Sequence, residues 1–374
     1  MIPLFKVMMS ESVQEPLIKT LYSGYIGQGE KVEEFETVLK EYFGNDYIVT
    51  VNTGTSGLHL IYHMLKTKLN LNEKSEVLAT PHTCFASNSP ILLNNLKLKW
   101  VDVDPKNMNI DLDDLARKIT NNTKIISFTH WGGMPVDLNK VKEICNDTES
   151  LFGFRPVVVE DAAHALGAEY NGKKLGNHGN FVMYSMQAIK HVTGVDLGFI
   201  VLQNADDYDR SVLLRWYGMN RRVNRLDMRC LGDVIEPGFK FHANDVNAVV
   251  GMENFKRLNF VVEKHRENAK YYDDNLVGVD GVTLLERNPL CNSSFWLYTI
   301  IVEDRPGFIK AMKERGIMTS QVHERNDRYT CTKEFVCHLP KYETIVNKQV
   351  NIPVHWDVSQ EDREYIVKSI KEGW

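Results

Sequence analysis

No two cysteines in this 374-residue chain form a CxxC pair; the six stand far apart as Cys84, Cys145, Cys230, Cys291, Cys331 and Cys337. That spacing argues against zinc ribbons and a disulfide scaffold, and with no signal-peptide pattern it predicts reduced thiols in a cytoplasmic protein. The tightest group, Cys331, Cys337 and His338, matches no common zinc spacing, so no metal site is expected. No apolar run approaches the ~20 residues that cross a bilayer. Fixed-period repeats and low-complexity linkers are also missing, which leaves solenoids and tethered arrays out. Neither sign of charge dominates: 44 basic against 49 acidic side chains give a net charge of -5. A broad nucleic-acid face is therefore not expected, although a local basic site for a diphosphate is compatible with it. What is present, 43% hydrophobic and 25% charged residues, is ordinary for a chain of two or three folded domains. At this length about three quarters of the unfolded surface can be buried.

Strand-like and helix-like patterns alternate through the first 200 or so residues. Strands are predicted at 47–51, 76–80, 97–103, 124–129, 157–161 and 181–185, and helices at 10–22, 30–42, from about 57, and 111–119. Such alternation predicts an α/β fold with a mostly parallel central sheet covered by helices. Beyond residue 260, a strand at 295–302 and helices at 307–315 and 359–371 suggest a smaller α+β unit. The expected division is 1–260 for a large domain and 261–374 for a small C-terminal one.

The stretch 156–202 is the most informative. The run Val157, Val158, Val159 suits a central parallel strand, and it places Asp161 at the carboxyl end, where open α/β sheets bind ligands. A second strand ends in Ser185, and Lys190 follows in a loop. Taken singly these residues have ordinary readings: a solvated lysine, a capping aspartate, a strand-ending serine, and in His164 a packed helix residue. Their order suits pyridoxal phosphate. That cofactor needs a lysine for its aldehyde and a carboxylate that keeps the pyridine nitrogen protonated. Upstream, Gly54, Thr55 and Ser56 stand between a strand and a helix, where free amides and the helix dipole favour a phosphate.

The motifs EDAAHALGA (Glu160 to Ala168), KKLGNHGNF and YSMQAIKHVTG (Tyr184 to Gly194) closely resemble the DegT, DnrJ and StrS family of nucleotide-sugar aminotransferases. The likeness runs from YIGQGEKVEEFE (Tyr25 to Glu36) to VNIPVHWDVSQED near the C-terminus. It implies a pyridoxal phosphate-dependent enzyme of aminotransferase fold type I. By that resemblance Lys190 bonds to the cofactor, Asp161 pairs with its ring nitrogen, and His164 lies beside the ring near its phenolic oxygen. Ser185 and the Gly54, Thr55, Ser56 turn contact the phosphate. Cys84 falls where relatives place a ring-stacking aromatic, with His82 and Phe85 as alternatives. Lys240 and His242 replace the usual Asn and Arg on the element that enters a neighbouring subunit's site, and Lys240 suits the cofactor phosphate there. One of Arg221, Arg222, Arg225 and Arg229 is a candidate for the substrate diphosphate, His323 for the substrate side, and Trp131 for either a substrate contact or a lid. The implied partners are L-glutamate and a nucleotide-linked keto sugar, by default a 4-keto-6-deoxyhexose, in a homodimer with shared sites. Neither nucleic acid nor membrane is expected as a partner. The alternatives are a sugar dehydratase, for which His191 lies close by, an aminotransferase for a 3-keto sugar or phosphorylated ketone, and a non-catalytic regulatory protein.

Overall fold

Short β-branched and apolar segments supply the strands of a seven-stranded sheet in the computed structural model, which describes residues 1–222 and 232–374. Of the sequence-stretch candidates, Arg225 and Arg229 lie outside the described residues. In chain order the first strands are β1 (Ile48–Val51), β2 (Glu76–Ala79), β3 (Lys97–Trp100), β4 (Thr123–Thr129) and β5 (Val157–Asp161). Two short strands, β6 (Glu169–Tyr170) and β7 (Lys173–Lys174), precede β8 (Phe181–Ser185) and β9 (Gly198–Val201). The large sheet has the order β1-β9-β8-β5-β4-β2-β3. All its pairings are parallel except the two made by β9, which runs against both β8 and β1. The mostly parallel sheet expected from the sequence is what forms. Apolar clusters cover it on both sides, one including Phe35, Phe128 and Phe199, the other Leu60, Trp100 and Ile125.

Four helices in the first hundred residues set up the site: α1 (Gln14–Leu21), α2 (Glu30–Phe43), α3 (Gly54–Lys68) and α4 (Phe85–Leu93). The α3 helix starts three residues earlier than the sequence suggested. Thr53 is extended and its side-chain oxygen accepts the Ser56 N–H at 3.1 Å, a cap that draws Gly54, Thr55 and Ser56 into the first turn. The strand predicted at 97–103 stops at Trp100, and Val103 instead makes an isolated bridge with Ile110.

In the C-terminal part, β10 (Val282–Leu284), β12 (Tyr298–Val302) and β13 (Gln349–Ile352) form an antiparallel sheet, while β11 (Cys291–Asn292) joins β6 and β7. The strand expected from residue 295 begins at Tyr298 because Phe295 is left-handed (φ 48°) and the Leu297 N–H donates to the Gly132 carbonyl at 3.2 Å. This sheet packs on the helices Leu258–Leu276 and Gln360–Lys371 through Tyr272, Tyr298, Ile300 and Ile366. The first residues lie against the same unit: the Ile2 N–H donates to Gly316 and the Trp356 indole to the Lys6 carbonyl. Among the described residues Cys84, Cys145, Cys291, Cys331 and Cys337 are free thiols, and no helix is long and apolar enough to cross a membrane.

Candidate active site

The carboxyl ends of β1, β5 and β8 open on one side of the sheet. Gly198, the first residue of β9, pairs with both Val51 and Ser185, so the ends of β1 and β8 meet across it. It has to be glycine there: a Cβ would fall 2.6 Å from the Gly54 amide nitrogen. At Gly54 a Cβ would sit 2.7 Å from the Met183 sulfur and 3.0 Å from the Ser185 Cβ. The start of α3 is therefore pressed onto the end of β8, bringing Gly54, Thr55, Ser56 and Ser185 together. The Gly54 and Thr55 amides open the helix and have no intrahelical acceptor.

Asp161 ends β5 as a buried carboxylate. Ser87, from the first turn of α4, donates to one of its oxygens at 2.5 Å, and the Ala163 N–H donates to the other at 2.9 Å. Burial nevertheless pushes its pKa above the usual aspartate value, against those two bonds and the charge of Lys190. The neighbouring Glu160 is fixed separately. The Val136 N–H donates to His130 Nδ1 at 3.0 Å, which leaves the Nε2 proton to donate to Glu160 at 2.8 Å, and Asn180 donates to the other Glu160 oxygen at 2.6 Å.

Lys190 hangs in the loop between β8 and β9, its N–H donating to the Gln187 carbonyl at 2.9 Å. Burial pulls its amine down to about 8, with Asp161 and Cys84 opposing. The ammonium lies 3.7 Å from the centroid of the Trp296 ring. Around it stand rings from distant segments. His164 stacks on Trp296 at 4.0 Å and on His323 at 5.7 Å, and Trp131 meets both histidines edge-on. Burial holds His164 well below the normal histidine value and lowers His323 to about 4, so both are neutral at pH 7. Two of their nitrogens, His164 Nδ1 and His323 Nε2, are buried without a hydrogen-bond partner.

The other sequence candidates are distributed as follows. Cys84 caps α4, half-buried and within electrostatic reach of Lys190. His82 is buried against Trp131, with Nδ1 bonded to the Tyr342 hydroxyl at 2.9 Å, while Phe85 packs edge-on against Tyr329. Trp131 is itself buried, and its indole donates to Thr299 at 3.0 Å, so it forms a wall behind the histidines. His191 turns away, donating from Nε2 to the Ser294 carbonyl at 2.8 Å. Lys240 is exposed; its backbone bridges Trp216, and the next residue, Phe241, accepts the Asn52 N–H at 2.7 Å, two positions before Gly54. His242 stacks on Trp216, over which Arg221 also lies, and Arg222 pairs with Asp209 at 3.0 Å.

Residues 8–371 match the DegT/DnrJ/EryC1/StrS aminotransferase family. The chain belongs to it. Among solved structures, this aminotransferase is similar to the sugar aminotransferase CalS13 from Micromonospora echinospora, with 41% identity, a TM-score of 0.96 and all of both chains covered. It is equally similar to AtS13 from Actinomadura melliaura, with 42% identity, a TM-score of 0.96, and 100% and 99% of the two chains covered. Among curated proteins, the UDP-4-amino-4-deoxy-L-arabinose–oxoglutarate aminotransferase of Shewanella sediminis is 29% identical over 99% of this chain and 97% of its own.

The aminotransferase depends on pyridoxal phosphate, as its family does. Its residues fit the group: a glycine-lined helix start for an anion, a buried carboxylate short of a cationic partner, and a lysine whose amine is neutral in part at pH 7–8. Sequence reasoning missed Ser87 and Trp296 as parts of the site. Ser87 is 74 positions from Asp161 and carries no local signal for that pairing. Trp296 reads in sequence as one more apolar strand residue, but it stands just before the strand, next to the left-handed Phe295, and its ring meets Lys190.

Proposed function

We propose that this aminotransferase moves an amino group from L-glutamate to the keto carbon of a nucleotide-linked sugar, by default a 4-keto-6-deoxyhexose, in amino-sugar or glycan biosynthesis. The observation that carries the reading is Lys190, lowered to about 8 beside a buried carboxylate at the carboxyl edge of the sheet. The relative from Shewanella sediminis, named for a UDP-linked 4-amino sugar, supports the choice of carbon 4.

When bound, pyridoxal phosphate supplies an electrophilic aldehyde and an electron sink. In this reading Lys190 would hold it covalently and, when free, would accept and return the substrate proton as general base and acid. Asp161, oriented by Ser87 and the Ala163 amide, holds the ring nitrogen protonated. The Gly54 and Thr55 amides, with Thr55, Ser56 and Ser185 hydroxyls, hold the phosphate. Neutral His164 serves the phenolic oxygen, and Cys84 covers the ring as a small polarizable group. His323 reads the sugar side.

The assembly is a cytoplasmic homodimer, with Lys240 of each subunit completing the phosphate site of the other. Residues 1–260 form the cofactor domain and 261–374 the smaller one. Commitment of the His191 imidazole to the Ser294 carbonyl supports transfer over hydroxyl elimination.

The test is 2-oxoglutarate formation from glutamate by protein loaded with pyridoxal phosphate, without any sugar, alongside the visible spectrum. One equivalent per site with a matching spectral change is expected, and none from Lys190→Ala. A Lys190→Ala protein that turned over at a substantial rate would overturn the assignment.

A further inference from the structure

A lysine that bonds a cofactor and also moves protons spends part of each turnover with its amine free. The structure shows where that amine rests. Lys190 Nζ lies 3.7 Å from the centroid of the Trp296 ring, within the distance of a cation–π contact. The indole is held from several sides. Its N–H donates to the Ile189 carbonyl at 2.8 Å, one residue before the lysine, so ring and lysine backbone are tied together. Phe5, from the opposite end of the chain, stacks on it at 5.1 Å, and His164 stacks at 4.0 Å. Trp296 is 2% exposed, so the contact is largely shielded from water, where a cation–π contact is strongest.

We propose that Trp296 is a positioning residue that berths the free Lys190 ammonium on its indole face, setting the place and proton occupancy of the amine whenever it is not bonded to the cofactor. The idea rests on the proposed roles of Lys190. The other titratable groups around the amine are Asp161 at the end of β5, Cys84 at the start of α4, and His164, His191 and His323; the cleft that Lys190 shares with Trp296 also carries His265 and His355, both lowered by burial, and Lys6, which pairs with Asp357 at 3.5 Å. The histidines are neutral at pH 7, since burial lowers each of them, so Lys190 is the cation that the indole meets. Burial and the π face act in opposite directions on the amine, one favouring the neutral form and the other the ammonium.

The test reads Lys190 ionisation in cofactor-free, full-length protein. The rate of acetylation by acetic anhydride is followed against pH by mass spectrometry of the Lys190 peptide, with surface lysines as internal references. Trp296→Leu removes the face and is expected to lower the apparent pKa of Lys190 by about one unit, with Trp296→Phe giving a smaller shift. Biosynthetic fluorination of tryptophan keeps the indole N–H and the packing while withdrawing π density, so it guards against a Trp296→Leu protein that does not fold. The Lys190 pKa should fall stepwise with each added fluorine while the reference lysines stay put. An unchanged Lys190 pKa across the fluorinated series would overturn the berth, since a purely structural tryptophan predicts that result. No glutamate or sugar enters the measurement, so its failure is distinguishable from failure of the proposed reaction.

Discussion

Asp161 is a carboxylate buried ahead of its partner. Burial raises its pKa, and the two hydrogen bonds from Ser87 and Ala163 do not bring it back. A protonated ring nitrogen would supply the missing charge. Asp161→Asn is therefore expected to weaken pyridoxal phosphate retention by about 10–100-fold, the range for one charge-assisted hydrogen bond, as measured by equilibrium dialysis. Retention at the wild-type level would remove Asp161 from its role. Lys190 supplies a second prediction at this scale. With its amine near 8, covalent capture of pyridoxal phosphate by the cofactor-free protein should speed up about tenfold per pH unit below that value and level off above it. A stopped-flow absorbance profile that still rises steeply past pH 9 would place the amine at its ordinary value instead.

Among elements, the joint between α2, β1 and the helix Ala205–Leu214 is held by a buried ion pair. Arg215 donates to Glu36 and, at 2.8 Å, to the Thr50 carbonyl; the Thr50 N–H and hydroxyl donate to Glu36 at 2.9 and 2.7 Å. Burial alone would raise the Glu36 pKa, but the charge of Arg215 and these bonds outweigh it and hold the carboxyl low. A carboxyl lowered on folding adds stability above its unfolded pKa and loses it as pH falls through the folded value. Glu36→Gln should cost about 3–5 kcal/mol at pH 7, because Arg215 keeps its charge without a countercharge. The penalty should shrink as pH falls below the ordinary glutamate value of about 4, where the unfolded carboxyl takes up a proton before the folded one does, and go on shrinking until the folded carboxyl is protonated too. Urea titrations of both proteins from pH 3 to 7 would show it, and parallel stabilities at all pH values would contradict the linkage.

The elements themselves were largely legible because their signals are local. Valines ahead of Asp161, the serine at the end of β8 and the stripe Val32, Phe35, Leu39 on α2 each sit within a few residues of the feature they announce. The start of α3 was misplaced because Thr53, not the glycine at 57, provides the cap. Ring stacking was not legible at all. His164, Trp296 and His323 meet only after segments far apart in sequence pack, and although the motif around His164 marks it as a site residue, nothing near it announces its ring partners.

At the scale of an assembly, the proposed sharing of sites would have a sharp consequence. If Lys240 serves the partner's phosphate, mixing inactive Lys190→Ala with weakened Lys240→Ala subunits should create hybrid dimers with one fully intact site. Random exchange would then restore about a quarter of the activity per subunit. No recovery on mixing, with exchange verified by mass spectrometry, would confine Lys240 to its own subunit.

The reversed strand β9 bears on the order in which the protein is made. Among the described residues it alone links β1 to the rest of the large sheet, and residues 52–197 separate the two partners. During translation β1 therefore waits roughly 7–30 s for the strand that receives it, at about 5–20 residues per second. Until then a fully buried strand has no ladder partner, and the start of α3 lacks the Gly198 backbone that packs against Gly54. Nascent chains released before residue 198 would hold β2 to β8 yet bind no cofactor. Cofactor retention thus acts as a completion signal: a chain that keeps pyridoxal phosphate has closed its longest-range contact in the sheet.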